Sequence, residues 1–227
     1  MSRYSILLSD PCWDYDNNLN GRAALGGKPY DTLTMAELSV LPIPDIAEKD
    51  SLLFQWATFP KLKESIELME NWGFRFITVP FVWLKINPSG KVIETVVEGK
   101  ALPNIEIIGG IYSGLGHYTN GNSEIVLMGK KGKGVPRISK SVKQTILAPD
   151  QYETDIVVAP RAKHSAKPVE VRSRIDALFG NASKIELFSR QNERLDTHGW
   201  VNIGNEVSGN LDIRDAIELI KNNSYHQ

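Results

Sequence analysis

Residues 5–13 read Ser5-Ile6-Leu7-Leu8-Ser9-Asp10-Pro11-Cys12-Trp13, an apolar run that stops at an acid, a proline and an aromatic ring. An unbroken aliphatic run bounded by turn residues is the pattern of a strand buried on both faces of a parallel sheet. Ile6 to Leu8 are therefore predicted to form such a strand, with Asp10 at its carboxyl end, where open α/β sheets bind ligands. Pro11 fixes its own φ and keeps Asp10 out of the helical region, so the carboxylate sits on a stiff, extended dipeptide. An acid, a rigid carbonyl and the flat ring of Trp13 on one short loop suit an exocyclic amine on a planar base. Asp10 and the Pro11 carbonyl would accept the amine's two hydrogens while Trp13 stacks on the ring. The same residues also read as a strand ending in a plain Asp-Pro turn, and nothing within this stretch separates the two readings.

Outward from this loop the chain alternates strands and helices. Ser51–Ala57 and Phe76–Leu84 read as strands, the second interrupted by Pro80, which predicts a bulge or an edge. Glu124–Met128, Lys184–Phe188 and Trp200–Ile203 read as further strands. Thr34-Met35-Ala36-Glu37 has the spacing of a capping box, opening a short helix that ends before Pro42. Lys61–Trp72 is amphipathic, with Leu62, Ile66, Met69 and Trp72 on one face and Gly73 closing it. Lys167–Leu178, led in by Pro168, and Asp212–Asn222, with Ile213, Ala216, Ile217 and Ile220 facing inward, read as the remaining helices. Asp14–Lys28, rich in Asn and Gly, is a loop of the kind that closes over substrates; Tyr15, Asn17 and Asn18 in it are candidate contacts to a base or phosphate. The expected organisation is one α/β domain over residues 1–227, with a hairpin-like insertion at about 87–116 and a C-terminal helix at about 212–222. The arms of the hairpin are Lys91–Val97 and Ile105–Ile111.

Composition removes several classes of function. A formal charge of −1 argues against bulk attraction to nucleic acid, so such binding must come from a local patch. Lys130, Lys131, Lys133, Arg137, Lys140 and Lys143 follow one another with no acid between Gly129 and Gln144, which makes the run a candidate phosphate contact. A single cysteine, Cys12, rules out an internal disulfide framework and a cysteine-rich zinc site. His117, His164 and His198 lack metal-ligand spacing, so no metal is expected. There is no G-x-G-x-x-G after a strand and no P-loop. The start of the chain lacks a signal-peptide pattern, and no apolar run reaches about 18 residues, so the expectation is a cytoplasmic protein without a membrane partner. Asp10, Arg190, Asn205 and Glu206 fall at predicted strand ends, as a ligand crevice in an open sheet requires.

Taken together, nine segments occur in one order: Asp10-Pro11-Cys12-Trp13, Leu53-Phe54-Gln55-Trp56-Ala57-Thr58, Trp72-Gly73-Phe74, Phe81-Val82-Trp83-Leu84-Lys85, Gly114-Leu115-Gly116-His117-Tyr118-Thr119, Asn122-Ser123-Glu124, His164-Ser165-Ala166-Lys167-Pro168, Glu186-Leu187-Phe188-Ser189-Arg190 and Gly204-Asn205-Glu206. In that order they resemble the MT-A70-like adenine-N6 methyltransferases, from Tyr4 to about Val207, and the compact bacterial and phage members most. The resemblance implies an S-adenosylmethionine-dependent enzyme on a Rossmann-like sheet with helices on both faces. The order is permuted, with the catalytic tetrad Asp10, Pro11, Cys12 and Trp13 ahead of the cofactor segment. It further implies that Asp10 and the Pro11 carbonyl hold the adenine amino group, that Trp13 packs on the base and that Tyr30 flanks it. Lys167 would meet the methionine carboxylate of the cofactor within the segment that also carries His164 and Ser165, and Arg190, Asn205 and Glu206 would contact its ribose and adenine.

The implied substrate is adenine in DNA, in the cytoplasm of a bacterium or a phage-infected host. RNA adenine, cytosine-N4 or a catalytically silent nucleic-acid-binding homologue are the alternatives, and a homodimer is open. One position departs from the pattern: the family usually has a second proline where this chain has Cys12. Cysteine restores a backbone N–H and costs on the order of 0.4–1 kcal/mol through the unfolded state, too little to abolish catalysis.

Overall fold

The computed structural model describes residues 3–14, 32–87, 90–95, 104–114, 118–142, 144–149, 167–189, 199–204 and 211–224. In chain order its elements are β1 (Tyr4–Ser9), α1 (Met35–Ser39), α2 (Ile43–Ile46), β2 (Ala47–Ala57), a 3-10 turn at Phe59–Lys61, α3 (Leu62–Asn71), β3 (Arg75–Ile86), β4 (Lys91–Thr95), β5 (Asn104–Ile108), β6 (Ser123–Lys131), β7 (Thr145–Pro149), α4 (Glu170–Phe179), β8 (Lys184–Leu187), β9 (Trp200–Ile203) and α5 (Ile213–Lys221).

The aliphatic run is β1, buried along its whole length and paired in parallel with β2 on one side and β8 on the other. Around it lies a seven-stranded sheet in the order β7-β3-β6-β2-β1-β8-β9. All neighbours run parallel except β6, which is antiparallel to both β2 and β3. The chain leaves β1 toward β2 on one flank, and β8 and β9 add on the other. The switch point of the sheet therefore lies between β1 and β8, where open sheets place a ligand crevice. The strand that leads into Asp10 comes early in the chain and its neighbour β8 late, which is the permuted Rossmann-like arrangement.

Period-two alternation sorts the side chains onto two faces. Leu7, Leu53, Ile125, Leu127 and Ile185 point to one face, where they pack with Leu38 of α1, Ile43 and Ile46 of α2, Leu68 and Met69 of α3, and Ile213, Ala216, Ile217 and Ile220 of α5. Ile6, Leu8, Phe54, Trp56, Phe81, Trp83 and Val126 point to the other, covered by Val171, Ile175 and Phe179 of α4. Burying each such large aliphatic or aromatic side chain contributes roughly 1.5–3 kcal/mol. The Thr34 capping box is present, with the Thr34 hydroxyl accepting from the Glu37 N–H and the Glu37 carboxylate accepting from the Thr34 N–H. Asp212 caps α5 through the Arg214 N–H at 2.8 Å.

The bulge expected at Pro80 appears as register shifts between Phe76 and Phe81, and β7 pairs only with the part of β3 beyond it. Helix α4 begins at Glu170, not Lys167, because a residue before proline is pushed out of the helical region; Lys167 instead leads into the helix in irregular backbone. Strand β2 starts at Ala47, ahead of the expected Ser51, and α2 and β7 had no local signal strong enough to predict them. In the insertion, β4 and β5 pair antiparallel in a sheet of their own, while Ile111 bridges back to Ile86. Val96 and Val97 of the expected arm, and all of the Asp14–Lys28 loop except Asp14, lie outside the described residues.

Candidate active site

Asp10 follows β1 in the same alternation as Ile6 and Leu8, so its side chain falls on the α4 face of the sheet. By the same parity Trp56 of β2, Lys85 of β3 and Glu186 of β8 fall on that face at the carboxyl edge. Glu124 joins them for a different reason: β6 runs antiparallel, so its beginning lies where its neighbours end, and Glu124 stands opposite Trp83. Lys167 enters from the lead-in to α4.

The result is a row of alternating charges. Lys85 Nζ lies 2.9 Å from Glu124 Oε1, Lys167 Nζ lies 2.8 Å from Glu124 Oε2, and Lys167 Nζ lies 3.4 Å from Asp10 Oδ1. Aromatic faces line it, with the Lys85 ammonium 4.8 Å from the Trp83 ring centre and the Lys167 ammonium 5.2 Å from that of Trp56. Burial alone would raise the Glu124 carboxyl, but Lys167 and Lys85 overcome it and bring it down to about 2. Burial would depress the Lys167 ammonium, yet Asp10 and Glu124 together hold it above the ordinary lysine range.

One strand over, Glu186 is 3.0 Å from Arg172 Nη1, an ion pair without hydrogen-bond alignment, and Arg172 lies over the Trp200 ring at 4.7 Å. Here burial wins: it pushes the Glu186 carboxyl up to about 7 against the pull of Arg172, with Asp10 adding to the rise. A group that holds its proton more tightly when folded contributes stability at low pH. That contribution is expected to fall as pH climbs from the ordinary 4.5 to about 7. Glu186→Gln should flatten the fall, read as melting temperature against pH; an unchanged profile would refute the assignment. Glu124 acts in the opposite sense, its contribution being present above 4.5 and lost as pH drops toward about 2.

The tetrad loop is held by its own backbone. The Trp13 N–H donates to the Pro11 carbonyl at 2.9 Å, and the loop is stapled to Leu33 by the Leu33 N–H to the Cys12 carbonyl at 2.8 Å and the Asp14 N–H to the Leu33 carbonyl at 3.1 Å. Cys12 is half-buried there. The turn sends Trp13 across to the other face of the sheet, where it is 5% exposed and packed into the α1–α3–α5 core. A large apolar ring gains more from that core than from solvent.

The first three lysines of the basic run stand away from the site. Lys130 and Lys131 are at the far end of β6, separated from Glu124 by roughly 20 Å of strand. The Lys131 ammonium donates to the Pro44 carbonyl at 3.1 Å and the Lys133 N–H to Asp50 Oδ1 at 2.6 Å. Lys130, Lys131 and Lys133 therefore lie at the opposite edge of the sheet from Asp10 and do not form one patch with it.

Tyr15, Asn17, Tyr30, His164, Ser165, Arg190, Asn205 and Glu206 lie outside the described residues. Their chain neighbours do meet: a Cβ on Gly204 would stand 2.5 Å from the Ser189 carbonyl oxygen, and the Ser189 N–H donates to the Ile203 carbonyl at 2.9 Å. Arg190 and Asn205 thus each follow directly on a residue of this close approach beside the switch point. Phe188, just before it, has φ of +58°, a conformation that bulky side chains seldom adopt outside constrained sites. Sequence reading missed Glu124, Lys85, Trp56 and Glu186 as site residues. It looked for acids at the ends of strands, and Glu124 stands at a beginning. Among the described residues no group of His, Cys, Asp and Glu could hold a metal ion, and no helix is long and apolar enough to cross a membrane.

Residues 4–206 match the MT-A70 family model. The chain is 31% identical to the Type II methyltransferase M.MunI of a Mycoplasma species, over 92% of this chain and 79% of that one. It is 26% identical to an N(6)-adenosine-methyltransferase MT-A70-like protein of Arabidopsis thaliana and 27% identical to the human N(6)-adenosine-methyltransferase catalytic subunit METTL3. Both of these cover 92% of this chain, which spans only 24% and 29% of their lengths. A family match that runs from the first residue of β1 to just past β9 takes in both halves of the switch point, and the chain belongs to the MT-A70 family of S-adenosylmethionine-dependent methyltransferases.

Proposed function

We propose that this chain transfers a methyl group from S-adenosylmethionine to the exocyclic N6 amine of adenine in DNA. The observation that carries the reading is the meeting of Asp10 and Lys167 at the carboxyl edge beside the switch point, two residues far apart in sequence and 3.4 Å apart in space. The residues present suit the cofactor. Lys167 offers a cation for its carboxylate, and Gly204 lets β9 pass so close to Ser189 at the end of β8 that any side chain there would collide with the backbone. Arg190, Asn205, Glu206, His164 and Ser165 are assigned to it by the family pattern, as is Tyr30 to the base, while Tyr15 and Asn17 are candidate nucleic-acid contacts by their place in the loop after Asp10.

When bound, S-adenosylmethionine supplies an electrophilic methyl group on a sulfonium. Asp10 accepts one hydrogen of the adenine amine, and the Pro11 carbonyl accepts the other. That carbonyl already takes the Trp13 N–H, which leaves it one lone pair for the purpose. Holding both hydrogens localises a lone pair that the ring otherwise delocalises. Orientation of this kind is worth roughly 7–11 kcal/mol of barrier. Asp10 then passes the released proton toward solvent. A target in a duplex must first be flipped out, at a cost of a few kcal/mol.

DNA is favoured by the Type II methyltransferase relative, most of whose length this chain covers. An RNA substrate is the second reading, favoured by the names of the eukaryotic N(6)-adenosine-methyltransferases. The test is expression in a host without adenine methylation, followed by mapping of N6-methyladenine in DNA and RNA from the same cells. Methylated adenine in DNA at a recurrent sequence is expected. Label confined to RNA would overturn the DNA assignment, and no label in either would point to a silent homologue.

A further inference from the structure

The Lys167 ammonium is shared unequally, 2.8 Å from Glu124 and 3.4 Å from Asp10. Glu124 is itself fixed at its other oxygen by Lys85, at 2.9 Å. Lys85 has little freedom to move away. Its N–H donates to the Asn122 carbonyl at 2.8 Å and its carbonyl accepts the Tyr112 N–H at 3.0 Å, so both ends of the 112–122 segment clamp it, while its side chain lies against Trp83 and Tyr112. Without the charge on Glu124, the whole attraction on Lys167 would fall to Asp10. A full ion pair there would occupy the oxygens that the amine needs, and would turn the ammonium away from a second carboxylate.

We propose that Glu124 is a positioning residue: anchored by Lys85 on one oxygen, it holds the Lys167 ammonium short of Asp10, so that Lys167 faces the cofactor carboxylate and Asp10 keeps an acceptor for the target amine. The proposal rests on the roles given above to Asp10 and Lys167.

The test uses the full chain and compares Glu124→Gln, Glu124→Asp, Lys85→Met and the Glu124→Gln/Lys85→Met double variant. Methylation kinetics are run beside calorimetry with S-adenosylmethionine. Glu124→Gln is expected to lower kcat and cofactor affinity by about tenfold or more, while KM for nucleic acid barely moves. Glu124→Asp should restore part of the loss. The double variant, in which the balance of charge is restored but Lys167 still lacks its second partner, should stay as low as Glu124→Gln. Its recovery to wild type would overturn the proposal in favour of a net-charge effect. Wild-type kcat and affinity in a folded Glu124→Gln would overturn it outright. Should that variant fail to fold, Lys85→Met alone, expected to show a smaller loss in the same direction, decides the question, and wild-type behaviour there overturns it. A wild-type chain that binds no S-adenosylmethionine overturns this proposal and the enzyme reading together; normal binding and turnover in both wild type and variants overturns this proposal alone.

Discussion

Asp10→Ala is expected to lower methyl transfer by roughly 10²–10³-fold while S-adenosylmethionine still binds. The variant removes the carboxylate that accepts the amine hydrogen, an interaction made with the reacting atom itself. It leaves Lys167 paired to Glu124 at 2.8 Å, so the row of charges and the fold around it persist. The loss should therefore appear in single-turnover methyl transfer, with calorimetry showing cofactor affinity little changed and the melting temperature near that of the wild type. Turnover preserved in Asp10→Ala would remove Asp10 from the chemistry.

Lys167→Met should act on both stability and binding. It strips the shared cation from Asp10 and Glu124, whose side chains are only 25% and 14% exposed, and leaves Glu124 with Lys85 alone. Breaking a buried pair by removing one partner costs about 3–5 kcal/mol. The residual exposure here places the cost near the lower end, about 3 kcal/mol, or a fall of roughly 6–12 °C in melting temperature for a chain of this size. The Glu124 carboxyl, held at about 2 by its two lysines, should rise when one is gone, so the stability that the wild type loses between pH 4.5 and about 2 should shrink, read as a flatter profile of melting temperature against pH in that window. Cofactor affinity should drop in the same variant, and Lys167→Arg, which keeps the charge, should recover more stability than affinity because its planar fork replaces a point charge. An unchanged melting temperature together with unchanged affinity would contradict the assignment.

What the sequence by itself determined was local. The aliphatic run of β1, the Thr34 capping box, the apolar face of α5 and the bulge at Pro80 each follow from a few neighbouring residues, through period, cap spacing or a missing N–H, and each is found where those residues put it. Asp10 at a strand end was legible for the same reason. The irregular lead of Lys167 also follows from a local rule, the restriction ahead of Pro168, although helical periodicity obscured it. Only the tertiary structure decided the direction of β6, and with it which of its ends faces the crevice. Strand direction is set by pairing with β2 and β3, residues far away in the chain, and leaves no trace in the alternation of β6 itself. That single choice brought Glu124 to Asp10 and Lys167 and carried Lys130, Lys131 and Lys133 to the opposite edge. Core packing likewise claimed Trp13 for the opposite face, because a buried ring is held by neighbours that its own segment does not contain.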